Sequence, residues 1–279
     1  MTEYWDATRI DGLKRCPAFY NLRYMQGWRP KAPNIHLEFG GLFADALEYY
    51  YKLRHKEAFT KEQSLQAVVH RTMKRTHENP LPRATGKTRH TLIRSIIWHI
   101  DKYDDDVALL ADGSVGVEIS FRLPVDHGIV FCGCLDRIIE SRGKLYIVDQ
   151  KTTSKPLNSR FFESYECSDQ IFLYSLVAKH LLKSPIRGII IDGVQVLAGT
   201  TKFKREAVIK TPEQIDEWYH DTIDIIRSRG NVLPRNFTSC WKYGSCDFVD
   251  VCKASPTQRD KYLDARFELR EVWDPTKAR

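Results

Sequence analysis

The spacing of apolar positions changes along the chain. In the first 110 residues they recur at helical intervals. Phe43, Ala46, Leu47 and Tyr50 form one stripe, and the stretches from Leu65 to Met73 and from Leu92 to Tyr103 form two more around the Pro and Gly break NPLPRATGK. From Ser114 the period falls to two. VGVEISFRLPV, GIVFCGCLDRIIE and KLYIVDQKT read as a three-stranded meander with DHG and SRG turns. A helix from Ser168 to Lys183 follows, then a strand IRGIIIDGVQVL and another through FKREAVIK. Thr-Pro-Glu opens a further helix from residue 211 or 212 to Arg229. The last 50 residues show neither period and are expected to be irregular. The pattern predicts an α/β protein with a helical region over 1–110, a mixed core over 111–230 and a cysteine-bearing tail over 231–279.

Composition narrows the class. With 279 residues, 42% of them hydrophobic, the chain can fill one large core or two modest ones, which excludes disordered and fibrous proteins. No apolar run approaches the roughly 20 residues that span a bilayer. The first 25 residues place acidic and aromatic side chains where a signal peptide would be apolar, so the expected location is the cytoplasm. An odd count of seven cysteines points to free thiols and metal ligation rather than a disulfide framework.

Charge is concentrated. Between His70 and Arg94 seven basic residues stand against the single acid Glu78, a net of +6 out of a chain total of +7. Arg71, Lys74, Arg75, Arg83, Lys87 and Arg89 are therefore candidates for neutralising nucleic-acid phosphates, the alternative being a solvated helix face.

The hairpin GCLDRIIESRGKLYIVDQK carries the candidate chemistry. With Arg142-Gly143 as its turn, Ser141 faces Lys144 and Asp136 faces Asp149, which puts two carboxylates about 4.5–5.5 Å apart at Cβ. Alternation places Lys151 on the same face as Asp149. Close carboxylates repel unless a cation lies between them, and Mg²⁺ uses one or two carboxylates together with water and substrate phosphate. The implied chemistry is metal-assisted phosphodiester hydrolysis, with Lys151 beside the water or phosphate. A three-residue loop Asp126-His127-Gly128 would add Glu118 opposite Asp136; a two- or four-residue loop would turn it away.

Gly133-Cys134-Leu135-Asp136, Val148-Asp149-Gln150-Lys151-Thr152 and Gln170-Ile171-Phe172-Leu173-Tyr174 together resemble the PD-(D/E)XK nuclease superfamily. They are similar to its RecB-like branch, which includes phage exonucleases, AddB-type nuclease domains and CRISPR-associated nucleases. The resemblance implies a restriction-endonuclease-like core, a central mixed sheet flanked by helices, with its first helix inside residues 1–110. It also implies a deoxyribonuclease, an exonuclease more than an endonuclease, that uses Mg²⁺ or Mn²⁺. DNA and recombination or replication proteins would be its partners. Asp136, Asp149 and the Gln150 carbonyl would bind metal, Lys151 would serve the water, and Gln170 and Tyr174 would contact DNA or support the site. The family helix G-x-x-H-x-x-L-E corresponds to Gly41 through Glu48, and its histidine position holds Ala44. Glu48 and Asp45 are the carboxylates that could substitute, Glu48 being the better suited. Without the histidine, a catalytically weak or inactive nucleic-acid-binding protein that keeps the nuclease fold is the alternative.

Cys240, Cys246 and Cys252 stand in the tail with x5 spacings, a weak zinc signal. Cys16 lies in Cys16-Pro17-Ala18-Phe19-Tyr20, which resembles the N-terminal cysteine segment of iron-sulfur nucleases in the same branch. By that resemblance the four cysteines would hold a [4Fe-4S] cluster, with zinc or unligated thiols as alternatives. Thr85-Gly86-Lys87-Thr88 is not a P-loop, because Leu81 replaces the first glycine and no apolar strand precedes it.

Overall fold

Arg142 (φ 51°) and Gly143 (φ 70°) both adopt left-handed backbone, as a tight two-residue hairpin turn requires. They join β4 (Ile129–Ser141) to β5 (Lys144–Thr153). The antiparallel pairs run from Ser141↔Lys144 to Arg137↔Val148, the register that the turn residues predict. This computed structural model describes residues 2–56, 59–81, 86–126, 128–182, 185–230, 233–241 and 244–271.

The remaining strands are β1 (Glu3–Trp5), β2 (Trp28–Pro30), β3 (Val117–Asp126), β6 (Ile186–Val196), β7 (Thr201–Val208) and β8 (Phe267–Leu269). Hydrogen-bonded neighbours run β1-β4-β5-β6-β7, and β3 also pairs with β4. Pairing is parallel for β1–β4 and β5–β6, antiparallel for β4–β5 and β6–β7. A parallel neighbour needs a crossover, supplied after β5 by α6 (Ser159–Glu166) and α7 (Asp169–His180). The result is the expected mixed sheet flanked by helices.

The chain forms two compact units, neither continuous in sequence: 34–121 with 134–211, and 1–33 with 122–133 and 212–279. In the first, α3 (Ile35–Lys56), α4 (Lys61–Glu78) and α5 (Arg89–Tyr103) realise the three apolar stripes. Phe39, Phe43, Leu47, Tyr51, Leu92, Ile96 and Ile100 pack with Val194 and Val196 of β6. Thr60 and Thr88 close capping boxes on α4 and α5, which fixes where each helix begins.

Beneath α5 lies a buried ionic network. Asp192 of β6 takes His99 Nε2 at 2.8 Å, Arg137 at 2.8 Å and Arg205 at 2.9 Å. Arg137 and Arg205 also hold Asp105, at 3.0 and 2.5 Å. Burial opposes ionisation of Asp192, but His99, Arg205 and Arg137 outweigh it and keep its pKa far below the usual carboxylate range. Burial wins at His99, whose pKa is lowered despite Asp192.

The second unit contains α1 (Ala7–Arg15), α2 (Pro17–Tyr20), α8 (Pro212–Ser228), α9 (Val249–Lys253) and α10 (Arg259–Arg266). Two expectations are corrected here. The region expected to be wholly helical carries β1 and β2, each three residues long and too short to show a period of two. The tail is not irregular. β8 pairs with β2, and Phe248, Val251, Leu263 and Phe267 form a small core. No described helix is long and apolar enough to cross a membrane.

Candidate active site

One residue beyond the Arg137↔Val148 pair lie Asp136 on β4 and Asp149 on β5. Asp136 Oδ2 accepts the Gln150 N–H at 3.0 Å, so its side chain replaces the next ladder bond. Asp149 is 1% exposed. The Lys151 ammonium donates to Asp149 Oδ1 at 3.0 Å and to Gln170 Oε1 at 2.7 Å. The two amide hydrogens of Gln170 go to Asp149 Oδ1 at 3.0 Å and to the Tyr174 hydroxyl at 2.9 Å. Tyr174 in turn donates to the Cys134 carbonyl at 2.8 Å.

Helix α7 sets this geometry. Ser168 caps it by accepting the Ile171 N–H, and a spacing of four puts Gln170 and Tyr174 on one helix face. The structure thus brings together five residues singled out from sequence: Asp136, Asp149, Lys151, Gln170 and Tyr174.

Electrostatics follow from burial. Asp149 is pushed up to about 6 by desolvation, with Asp136 adding to the rise and Lys151 opposing it. For Lys151 burial works against the charge, but the ion pair and hydrogen bond to Asp149 prevail and its pKa rises. Tyr174 is held protonated by burial and by the charges of Asp149 and Asp136.

A cavity of about 10 Å³ lies beside the carboxylates, lined by Ala44, Glu48, Glu118, Asp136 and Gln150 among others, and it has room for one water-sized or ionic particle. Glu48 forms an ion pair with Lys52. Glu118 accepts the Cys134 thiol at 3.0 Å. Its own left-handed backbone, φ 51°, interrupts the alternation of β3, so turn length alone does not set its direction. His127 of the proposed three-residue loop lies outside the described residues.

Do these residues fit a divalent cation? Among the described residues no three His, Cys, Asp or Glu side chains gather as ligands. Two carboxylates suffice for Mg²⁺, which keeps water and phosphate as its other ligands. Asp149 Oδ2 is buried and, although 2.8 Å from Lys151 Nζ, lacks hydrogen-bond geometry. A buried anionic oxygen without a hydrogen bond, next to a second carboxylate and a small cavity, fits a hard cation.

Asp45 faces elsewhere: Arg71 and Arg75 of α4 hold it at 3.3 and 2.5 Å. This corrects its candidacy as a substitute ligand. Arg71, Arg75, Lys74 and Arg89 are exposed, and Arg83 lies outside the described residues. Lys87 departs from expectation. It is 1% exposed, its ammonium 5.1 Å from the Phe39 ring and without a hydrogen bond, and burial lowers its pKa. In this conformation its charge is not presented to a phosphate backbone.

In the other unit the thiols of Cys16, Cys240, Cys246 and Cys252 are free and partly buried. Cys16 Sγ accepts the Asn236 N–H at 3.4 Å, and Asn236 Nδ2 donates to the Arg15 carbonyl at 2.9 Å, so the N-terminal cysteine meets the tail. The Cys246 N–H bonds the Cys240 carbonyl at 2.8 Å. Burial raises the Cys252 thiol, Arg235 opposes this, and Cys16 and Cys240 are close enough to add to the rise. Four such sulfurs fit a soft metal or cluster by donor type, though they do not converge in a ligating geometry.

Two features escaped the sequence reading. The Asp192 network joins residues up to 100 positions apart, and no local period marks it. Tyr165 of α6 lies with its ring centre 5.7 Å from Lys151 Nζ. The aromatic run Phe161, Phe162, Tyr165 just ahead of Gln170 is the signal that could have drawn attention to it.

Residues 4–253 match the family model of the PD-(D/E)XK nuclease superfamily. Among solved structures the chain is similar to the crystal structure of SSO0001, at 14% identity and a TM-score of 0.36 over 92% of this chain and 88% of that one. No curated protein matches.

Proposed function

The chain belongs to the PD-(D/E)XK nuclease superfamily, and from that premise we propose that it is a metal-dependent exonuclease acting on DNA in recombination, repair or phage DNA processing. One observation carries the reading: Lys151 is bonded to both Asp149 and Gln170, with Asp136 a single register step away.

Asp136, Asp149 and the Gln150 carbonyl would hold Mg²⁺ or Mn²⁺, with Glu48 and Glu118 at the adjoining cavity. The cation supplies charge neutralisation at the scissile phosphoryl group. Lys151 orients the attacking water and faces the phosphate as a point charge. Gln170 holds Lys151 and Asp149 in fixed relation, and Tyr174 fixes Gln170. Because the site is partly desolvated, these interactions are stronger than they would be in bulk water. Exposed Lys74 and Arg89 in the basic stretch are suited to the DNA backbone, and the cytoplasm is the proposed location.

Labelled linear and circular DNA incubated with Mg²⁺ or Mn²⁺ tests this. Linear DNA is degraded from its ends, closed circles survive, and Asp149→Ala and Lys151→Ala abolish the activity. No cleavage by the wild type, or equal cleavage by Asp149→Ala, overturns the nuclease reading; cutting of circles overturns the exonuclease part. Ala44 at the family histidine position favours a second reading, a nucleic-acid-binding protein without cleavage, which the same assay separates by binding alone.

For the second unit the proposal is a [4Fe-4S] cluster on Cys16, Cys240, Cys246 and Cys252, with zinc as the alternative. The meeting of Cys16 with the tail at Asn236 supports it. Iron and zinc content and visible absorbance after anaerobic purification test it; a colourless protein free of both metals counts against any metal there.

A further inference from the structure

Lys151 pairs with Gly193 across β5 and β6. A Cβ at Gly193 would come within 3.2 Å of Phe161 Cε1, 2.8 Å of Leu157 Cδ2 and 3.2 Å of the Lys204 carbonyl. The missing side chain is what lets α6 lie against the sheet next to the lysine. On that helix Phe162 is the buried anchor, 1% exposed. Phe161 meets the Tyr165 ring edge-on, with centroids 5.2 Å apart and planes at 67°.

Tyr165 is only partly buried. Its carbonyl accepts the N–H and hydroxyl of Ser168 at 3.0 and 2.9 Å. Ser168 is the cap of the helix that carries Gln170, so the backbone of Tyr165 is tied to that helix while its ring packs against Phe161. A glycine, an anchored aromatic and a capped helix therefore hold one aromatic ring beside the lysine.

We infer that Tyr165 forms a stacking subsite for an unpaired nucleobase flanking the scissile phosphate. This rests on the nuclease reading, which places that phosphate at Lys151. Aromatic rings bind nucleobases through their faces, tolerate any sequence and need a base freed from its duplex neighbours. The subsite selects a frayed end or a single strand over an intact duplex, and it carries no base preference.

The test uses oligonucleotides with an abasic site on each side of the scissile phosphate in turn. In the wild type, loss of one flanking base raises KM about tenfold with kcat unchanged. Tyr165→Leu raises KM by a similar factor on the intact oligonucleotide and no longer responds to the abasic site, and Tyr165→Phe behaves as wild type. A Tyr165→Leu protein with wild-type KM, or with wild-type sensitivity to the abasic site, overturns the subsite. Binding is read separately, by quenching of a flanking 2-aminopurine in an Asp149→Asn background. A wild type that cleaves nothing, with quenching that depends on Tyr165, overturns the nuclease reading and leaves the subsite standing. Cleavage without any response at Tyr165 does the reverse.

Discussion

The side-chain oxygen of Gln170 lies 2.7 Å from the Lys151 ammonium, while its nitrogen lies 3.0 Å from the carboxylate of Asp149. One amide thus bridges both members of the ion pair at the centre of the candidate site, and its orientation is fixed by Tyr174.

Removing that bridge leaves Lys151 and Asp149 paired but free to rotate. Gln170→Leu is expected to lower kcat about 100-fold through misplacement, with KM little changed. Tyr174→Phe removes the hydrogen bond to the partly buried Cys134 carbonyl and is expected to cost about 1 kcal/mol of stability. Steady-state kinetics and urea unfolding check the two.

A buried Asp149 with its pKa raised to about 6 is a poorly compensated anion near neutral pH. Mn²⁺ binding to the folded state is expected to raise the melting temperature, by about 2.7 kcal/mol of added stability at 100 times Kd. Asp149→Asn should lose that gain, and chelation should reverse it in the wild type. Thermal melts with and without Mn²⁺ decide; equal shifts in both proteins would place the ion elsewhere.

Acid sensitivity follows from His99. Its pKa is lower in the folded chain than its ordinary 6.5, so below that pH the unfolded chain takes up a proton that the native one excludes. Stability then falls with falling pH, by up to about 1.4 kcal/mol per unit for this group. Asp192, depressed in the folded state, acts in the same sense at lower pH: its contribution is present above the ordinary carboxylate range and is lost as pH drops through its folded value. His99→Phe, set among Phe43, Tyr103 and Phe203, should flatten the slope between pH 7 and 5 in urea unfolding.

Arg137 is 2% exposed and serves both Asp105 and Asp192. Arg137→Met leaves buried carboxylates short of a counter-charge and is expected to cost about 3–5 kcal/mol. Lys204→Ala, which breaks an exposed pair with Glu206, should cost under about 1 kcal/mol. Comparable losses in the two variants would contradict the burial argument.

Several features were legible without coordinates because their causes are local. Arg142-Gly143 dictates a hairpin turn, the turn dictates the register, and the register puts Asp136 beside Asp149. A spacing of four puts Gln170 and Tyr174 on one helix face. Segments of three to five residues, such as β1, β2, α9 and β8, were not legible, since they are too short to repeat their period more than once and are held by pairing or packing with distant chain.

The sequence by itself determined the hairpin, the carboxylate pair with its lysine, and the helix bearing glutamine and tyrosine, because short-range geometry and period dictate each of them. Only the tertiary structure decided what surrounds them. It put the Lys87 ammonium against Phe39 instead of in solvent, and spent Arg71 and Arg75 on Asp45. It joined His99 to Asp192 across 93 positions and placed Tyr165 beside Lys151. Burial and charge pairing between distant segments depend on how the sheet and helices pack, and local spacing carries no information about that.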